Sequence, residues 1–467
     1  MTSEPELTAA LPEVEEKLEL RRILPIFVIV LIDLLGLTII IPLLPLYAAS
    51  FGLTPAMIGL LGATYPMMQF IGAPVLGRLS DRYGRKPILV VSQIGTLSGF
   101  ILLGVASSGL LLFVSRLIDG ISGANIATAQ AAITDSTTEK TRTQGLGLIG
   151  AAFGLGFTIG PVIAFVSLAL TDNDYRAPAF AAAFFSLLSI FLTAFWFKET
   201  LPVEKRGHGE QKPAFSLKAL TQAVSHPAVG ILLVLIFAQQ LAFGGFEQLL
   251  ALFTLSNLGF NASRNAIIFV YVGVIVVAVQ GYFIGKWSRR FGDRRLVHGG
   301  LALLAVGLIA LAFTPRQPLP GYSRGELAEE LSGGRPLLNE TPPTQDVVVD
   351  LPEDGQTGWL GLAWILAAMV PLAVGGGILQ PAINSLITKR VEPLEVGGML
   401  GVSSSFLSAA NALAPLIGGV LFQTLGPRSP FLLGGLLMAG LLAAALKLVT
   451  PGREEEAAAG LARGGGH

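Results

Sequence analysis

The 467-residue chain has no cysteine, only four histidines and charged residues at 13%. Without cysteine it has no disulfide, no thiolate nucleophile and no thiolate metal site. All four histidines, His208, His226, His298 and His467, fall in or at the edge of polar connections. Histidine is therefore not expected to carry protons at mid-membrane, and no metal-ligand spacing is present, so no metal site and no zinc enzyme is expected. The formal net charge is +0 and the pI about 6.9, which gives no reason to expect a nucleic-acid partner. The charged share is about half that of an ordinary globular protein. No nucleotide-binding loop is visible, so no cofactor and no ATP-driven step are expected.

What the chain has in quantity is apolar surface. The hydrophobic share is 52%, the mean hydropathy +0.67, and Gly 56 and Pro 28 are both high. This suits close-packed, bent membrane helices in contact with lipid. Lipid cannot satisfy an exposed backbone, so each crossing needs roughly 20 mostly apolar residues in a regular helix. Twelve such runs are read: 23–48, 55–77, 88–106, 109–134, 144–168 and 178–197, then 228–254, 265–285, 296–314, 358–387, 396–424 and 430–449. The expected fold is all-α and polytopic, two six-helix bundles (23–197 and 228–449) joined by a polar linker at 198–227, between an N-terminal segment 1–22 and a tail 450–467. The acidic start of the chain lacks the basic flank of a cleavable signal peptide, so the first apolar run is expected to be retained.

With both termini on one side, that side holds 24 lysines and arginines and the opposite side six, leaving Arg116 within a span. The bias predicts cytoplasmic termini and a multi-pass protein of the cell membrane. The segment 315–357, on the sparsely basic side, is acidic, rich in Gly and Pro and without an apolar stripe, and is expected to be disordered or loosely packed.

A turn recurs at an offset of 208. Gly77-Arg78-Leu79-Ser80-Asp81-Arg82-Tyr83-Gly84-Arg85-Lys86 aligns with Gly285-Lys286-Trp287-Ser288-Arg289-Arg290-Phe291-Gly292-Asp293-Arg294. A repeated basic turn in two six-helix halves is the arrangement of a transporter whose halves rock about a central site. Arg289 stands where Asp81 would repeat, so the second half is not expected to hold an identical acidic latch.

An ionisable group within the bilayer is costly and needs an account. Four stand out: Asp33, ten residues (about 15 Å of rise) beyond Ile23; Arg116 and Asp119, three apart on one helix face; and Glu247. Asp33, Arg116 and Asp119 are candidates for proton coupling, the arginine controlling whether the acids are charged. The alternative is a permanent salt bridge that only ties helices together. Glu247 is a cavity candidate with Gln69, Asn125, Gln130, Gln239, Gln240, Gln248, Gln280, Gln380 and Asn384, although such polar groups also serve as ordinary interhelical links. Gly156, Gly160 and Pro161 mark a bend or a packing seam in the fifth helix.

These residues resemble the major facilitator superfamily, in particular its drug:proton antiporters of the tetracycline-efflux type. The similarity lies in residues 77–87 (GRLSDRYGRKP), in Asp33-Leu34-Leu35-Gly36 with Pro42 and Pro45, in the stretch from Arg116 to Ala124, and in Gly156 to Pro161. The resemblance implies a major facilitator fold and a conformational latch of Gly77, Asp81, Arg82, Gly84 and Arg85. It also implies a relay role for Arg116 and an antiporter bend at Gly160-Pro161. Positive-inside topology is a plainer account of the loop arginines, and Ala164-Phe165 replaces the usual glycine pair after the bend. The expected function is efflux of a moderately hydrophobic organic compound driven by the proton gradient, by a monomer whose partners are lipid, protons and that solute. The alternatives are sugar, metabolite or lipid transport within the same superfamily, and a non-transporting receptor or scaffold.

Overall fold

The apolar runs fold as helices because each satisfies its own backbone hydrogen bonds, the condition for crossing lipid. The computed structural model describes residues 19–123, 125–206, 224, 229–333, 349–391 and 396–449. Most of the N-terminal segment, Ala124, most of the linker, the middle of the 315–357 insertion and the tail expected at 450–467 lie outside the described residues.

The first half comprises α1 (Leu20–Ile40), α2 (Leu44–Ser50), α3 (Pro55–Tyr83), α4 (Arg85–Gly104), α5 (Gly109–Ser122), α6 (Asn125–Asp135), α7 (Glu139–Ala169) and α8 (Arg176–Phe195). The second comprises α9 (Gly230–Leu258), α10 (Ala262–Ala278), a π turn at Val279–Phe283, α11 (Ile284–Phe291), α12 (Asp293–Ala312), α13 (Arg324–Gly333), α14 (Leu360–Arg390), α15 (Val396–Leu425) and α16 (Ser429–Leu448). No strand occurs among the described residues, and twelve helical stretches are long and apolar enough to cross a membrane.

Two expected continuous helices are broken. The run 23–48 divides at residues 41–43, where Pro42 lacks an N–H, and α2 follows as a separate buried helix of about two turns. The run 109–134 divides between α5 and α6 at Gly123.

The insertion also departs from expectation. Residues beside its undescribed middle are packed: Tyr322, Leu327, Leu331, Val349 and Leu351 are all buried. The Tyr322 hydroxyl donates to the Pro352 carbonyl at 3.0 Å, and Arg316 pairs with Asp350 at 2.8 Å. The apolar anchors are split between the two ends of the segment, so no single stretch shows a periodic stripe. Helix α13 packs on α2, bringing a second-half element onto the first half.

The end of the molecule carrying this insertion is called here the insertion side, and the end carrying the two repeated turns the basic side. The halves meet through α3 against α15 and α7 against α10. Toward the insertion side the backbones are in direct apposition. A Cβ on Gly59 would sit 2.3 Å from the Pro415 carbonyl oxygen, and one on Gly419 2.6 Å from that of Pro55. The Ala56 N–H donates to Gln423 Oε1 at 3.0 Å, and Ser263 donates to Asn173. On α9, Leu249 to Leu258 is buried throughout. On the basic side, Gly77 and Gly281 have no atom within 4 Å of an added Cβ. The halves are thus closed together on the insertion side.

Candidate functional site

The two acids read as candidates for proton coupling share one chamber, lined by Asp33, Tyr65, Gln93, Thr96, Asp119 and Asn125 among apolar side chains. Asp33 from α1 accepts a short hydrogen bond from Asn125 Nδ2 on α6, and its Oδ1 is buried without a partner. On α5, Arg116 Nη1 lies 3.0 Å from Asp119 Oδ2 with both side chains 2% exposed. That contact is within ion-pair range but lacks hydrogen-bond geometry, so Asp119 Oδ2, Arg116 Nε and Arg116 Nη2 all lack hydrogen-bond partners. The guanidinium also lies 5.5 Å from the Phe100 ring centroid, a favourable cation–π placement.

The chamber therefore brings Asp33 and Asp119 together, with the Arg116 guanidinium against Asp119. Arg116 is paired with Asp119, and Asp33 has no ion-pair partner among the described residues. The chamber's volume for solvent is about 20 Å³, room for roughly one water and far too little for an organic solute. Tyr65, which α3 presents to this chamber, is absent from the sequence-based set. Gln69 Nε2 donates to the Gly123 carbonyl at 3.0 Å and reaches the Tyr65 hydroxyl at 3.4 Å, so it closes the chamber wall. Gln130 stands apart, its side chain exposed.

Gly156 and Gly160 form a seam against α1. A Cβ on Gly160 would sit 2.2 Å from Thr38 Oγ1, and one on Gly156 3.4 Å from Leu34 Cβ. Helix α7 runs unbroken past Pro161, and the close approach of α1, which carries Asp33, is what requires glycine here.

In the basic-side turn, Gly84 has φ +105°, a conformation that favours glycine. Arg85 is buried and bonds Asp81 (2.5 Å), Ser80 (2.7 Å) and Asp135 at the end of α6 (2.9 Å). The Glu199 carboxylate accepts from the N–H groups of Arg85 (2.9 Å) and Lys86 (3.1 Å), capping α4. Asp81 and Arg82 are exposed, and Gly77 is free of close contacts. Asp135 and Glu199 are therefore members of this cluster that sequence reasoning missed, because acids at helix ends read as ordinary loop charges.

The polar groups of the second half are spread along its inter-half helices. Gln240 donates to Asn411 Oδ1 at 2.7 Å, and Asn384 accepts from Ser403 at 3.4 Å. Gln239 is buried, and the Gln248 amide lies against Gly62 and Pro415. Gln280 sits in the π turn facing Gly154, and Gln380 is partly buried on α14. Glu247 is partly buried, and no hydrogen-bond or ion-pair partner is described for it. It lies at the edge of the sealed segment of α9, away from the first-half chamber. Among the described residues no group of acids and histidines is arranged to hold a metal ion.

The sequence model of the Major Facilitator Superfamily matches residues 26–322 and 357–464. The chain is 26% identical over 400 residues to the tetracycline resistance protein, class B, of Escherichia coli, covering 85% of this chain and 87% of that one. It is 28% identical to multidrug resistance protein 1 of Bacillus subtilis, covering 84% and 87%. The crystal structure of the human organic anion transporter MFSD10 (TETRAN) superposes with a TM-score of 0.57 at 21% identity, covering 91% of this chain and 99% of that one.

Proposed function

The chain belongs to the Major Facilitator Superfamily, and from that premise we propose that it is a proton-coupled exporter of a moderately hydrophobic organic compound. That it is a multi-pass membrane transporter and not an enzyme follows from the family and its twelve spanning helices. Efflux is favoured by its similarity to tetracycline and multidrug resistance proteins.

The observation that carries proton coupling is the first-half chamber, where Asp33 shares a water-sized space with Asp119, whose charge Arg116 already balances. A permanent charge on Asp33 has neutral donors such as Asn125 beside it and no cation paired with it among the described residues, so proton uptake and release there are the economical response to a changing environment. The organic solute is assigned to the seam between the halves, where Gln240, Glu247, Gln280, Gln380 and Asn384 are the polar groups proposed to meet it. With the basic side cytoplasmic, the side on which the halves are closed together faces outward. Each monomer contains both halves and so the whole pathway, in the cell membrane with both termini cytoplasmic.

Compounds are screened on purified protein in proteoliposomes, with and without an imposed pH gradient, following proton and solute flux together. Asp33→Asn is expected to insert and bind solute but to lose accumulation against a gradient. Normal coupled flux in Asp33→Asn with uncoupling in Asp119→Asn would move the coupling site to Asp119. Solute flux with no proton dependence in the unaltered protein would remove proton coupling altogether.

A further inference from the structure

We propose that Ser189 on α8, held in place by Gln93 on α4, is the switchable hydrogen-bond donor that sets the proton affinity of Asp33. The inference rests on the reading of Asp33 as the coupling carboxyl. Ser189 and Gln93 are both 0% exposed. Gln93 Nε2 donates to Ser189 Oγ at 2.7 Å, and the backbone carbonyl of Gln93 accepts from Ser186 at 3.3 Å. Ser189 Oγ thus has one lone pair committed to a strong bond and a single proton left to give.

That proton has two acceptors within reach. One is the Ile29 carbonyl, at a long 3.5 Å. Ile29 precedes Asp33 by four residues, so its carbonyl already receives the Asp33 N–H within α1. The other is the Asp33 carboxyl, one helical turn beyond Ile29 on the same helix and close enough to Ser189 to feel its hydroxyl, with its Oδ1 buried and unpartnered. An ionised carboxylate is the stronger acceptor, whereas a protonated one needs no donor. The hydroxyl therefore turns to the Asp33 carboxylate when Asp33 is charged and back to Ile29 when it is neutral. Gln93 anchors it in both states, so the exchange needs only rotation about one side-chain bond.

The ionisable groups facing Asp33 are Asp119 and Arg116 from α5 and Tyr65 from α3. Helices α4, α6 and α8 present neutral groups (Gln93, Thr96, Asn125 and Ser189), and α7 has no ionisable residue beyond Arg142. Asn125 satisfies one carboxylate oxygen, which leaves the other for Ser189. Ser189 is a positioning residue, acting through Asp33.

The test is a pH titration of the Asp33 carboxyl by infrared difference spectroscopy on the full chain in lipid, the band assigned by its loss in Asp33→Asn. Ser189→Ala is expected to raise the proton affinity of Asp33 about tenfold, the scale of one hydrogen bond to a charged group. Ser189→Thr, which keeps the hydroxyl, is expected to restore it. Ser186→Ala, which cuts the other α8 bond to Gln93, is expected to leave it unchanged. An unshifted titration in folded Ser189→Ala overturns the proposal, and so does an equal shift in Ser186→Ala, which would make the effect one of packing. Should the expected titrations appear while the unaltered protein shows no proton-driven flux, the proposed function fails and the role of Ser189 stands.

Discussion

The turn before α4 and the turn before α12 share a backbone and carry opposite charge. Each ends a helix at a glycine of positive φ, Gly84 (+105°) and Gly292 (+77°), whose N–H returns to a serine carbonyl four residues back, Ser80 (3.0 Å) and Ser288 (2.9 Å). The next residue is buried and reaches the basic-side end of its half's fourth span. In the first half it is Arg85, bonded to Asp135. In the second it is Asp293, bonded to Lys389 at 2.5 Å and to Ser385 at 2.5 Å, with Ser288 as a further donor.

The inversion changes how each helix start is neutralised. A helix N-terminus favours negative charge. Asp293 supplies its own as the first residue of α12, whereas Arg85 brings the wrong sign to α4 and Glu199 supplies the carboxylate instead. At the other end of each bridge, Lys389 suits a helix C-terminus and Asp135 does not. The second-half version is electrostatically self-sufficient; the first-half version depends on Arg85 to hold Asp81, Asp135 and Ser80 together. We expect the first-half cluster to be the one that moves when the halves rock, since a hub with exposed Asp81 has partners to exchange.

The largest expected effect separates the two turns directly. Arg85→Ala strands Asp135, whose side chain is 22% exposed, beside a capped helix start, and breaking a largely buried pair in this way costs about 3–5 kcal/mol. Asp293→Ala leaves Lys389, 45% exposed, free to turn to water, at about 1–2 kcal/mol for the lost bonds. Thermal unfolding of both variants in detergent should rank Arg85→Ala well below Asp293→Ala, with transport lost in the former and reduced in the latter. The reverse ranking would make the second-half turn the structural hub.

Reversing the second bridge sharpens the comparison. Asp293→Lys alone sets two cations together, and Asp293→Lys with Lys389→Asp recreates the polarity of the first half. The double variant is expected to regain most of the stability that the single one loses. It should still fall short by about 0.3–1 kcal/mol because α12 then begins with a cation and has no counterpart of Glu199. Full recovery would show that the helix-end charges contribute nothing.

The twelve spans and the chamber acids were legible because a long apolar run, or an acid inside one, has few other meanings. The aligned repeat even set Asp293 against Arg85, yet nothing in it revealed that each is bridged, since Arg85 and Asp135 are fifty residues apart. Ser189 and Gln93 were silent for a different reason: a serine or glutamine in an apolar helix usually closes a local bond. Their role exists only where α1, α4 and α8 meet. The insertion failed as a pattern because Tyr322, Leu327 and Leu331 are completed by Val349 and Leu351 from its far end.

That insertion is where the halves differ outright, since the corresponding first-half connection between α4 and α5 spans only residues 105–108, and it yields the smallest expected effect. Glu330 on α13 accepts from Asn261 at 3.2 Å while its other oxygen is buried without a partner. Burial raises the proton affinity of its carboxyl above the ordinary glutamate range, against the opposing pull of Asn261 and Arg264, and Tyr175 of the first half faces the same spot. A carboxyl with a raised value binds more protons docked than released, so docking of α13 is strongest in acid and weakens as pH climbs through the raised value. Because Asn261 and Arg264 offset part of the burial, the change should stay below about tenfold in the docking equilibrium. A spin label on Gly325→Cys, convenient in a chain with no cysteine, reports it as a mobile fraction that grows with pH. Glu330→Gln should flatten that dependence while leaving α13 docked. An identical pH response in Glu330→Gln would assign the titration to another group.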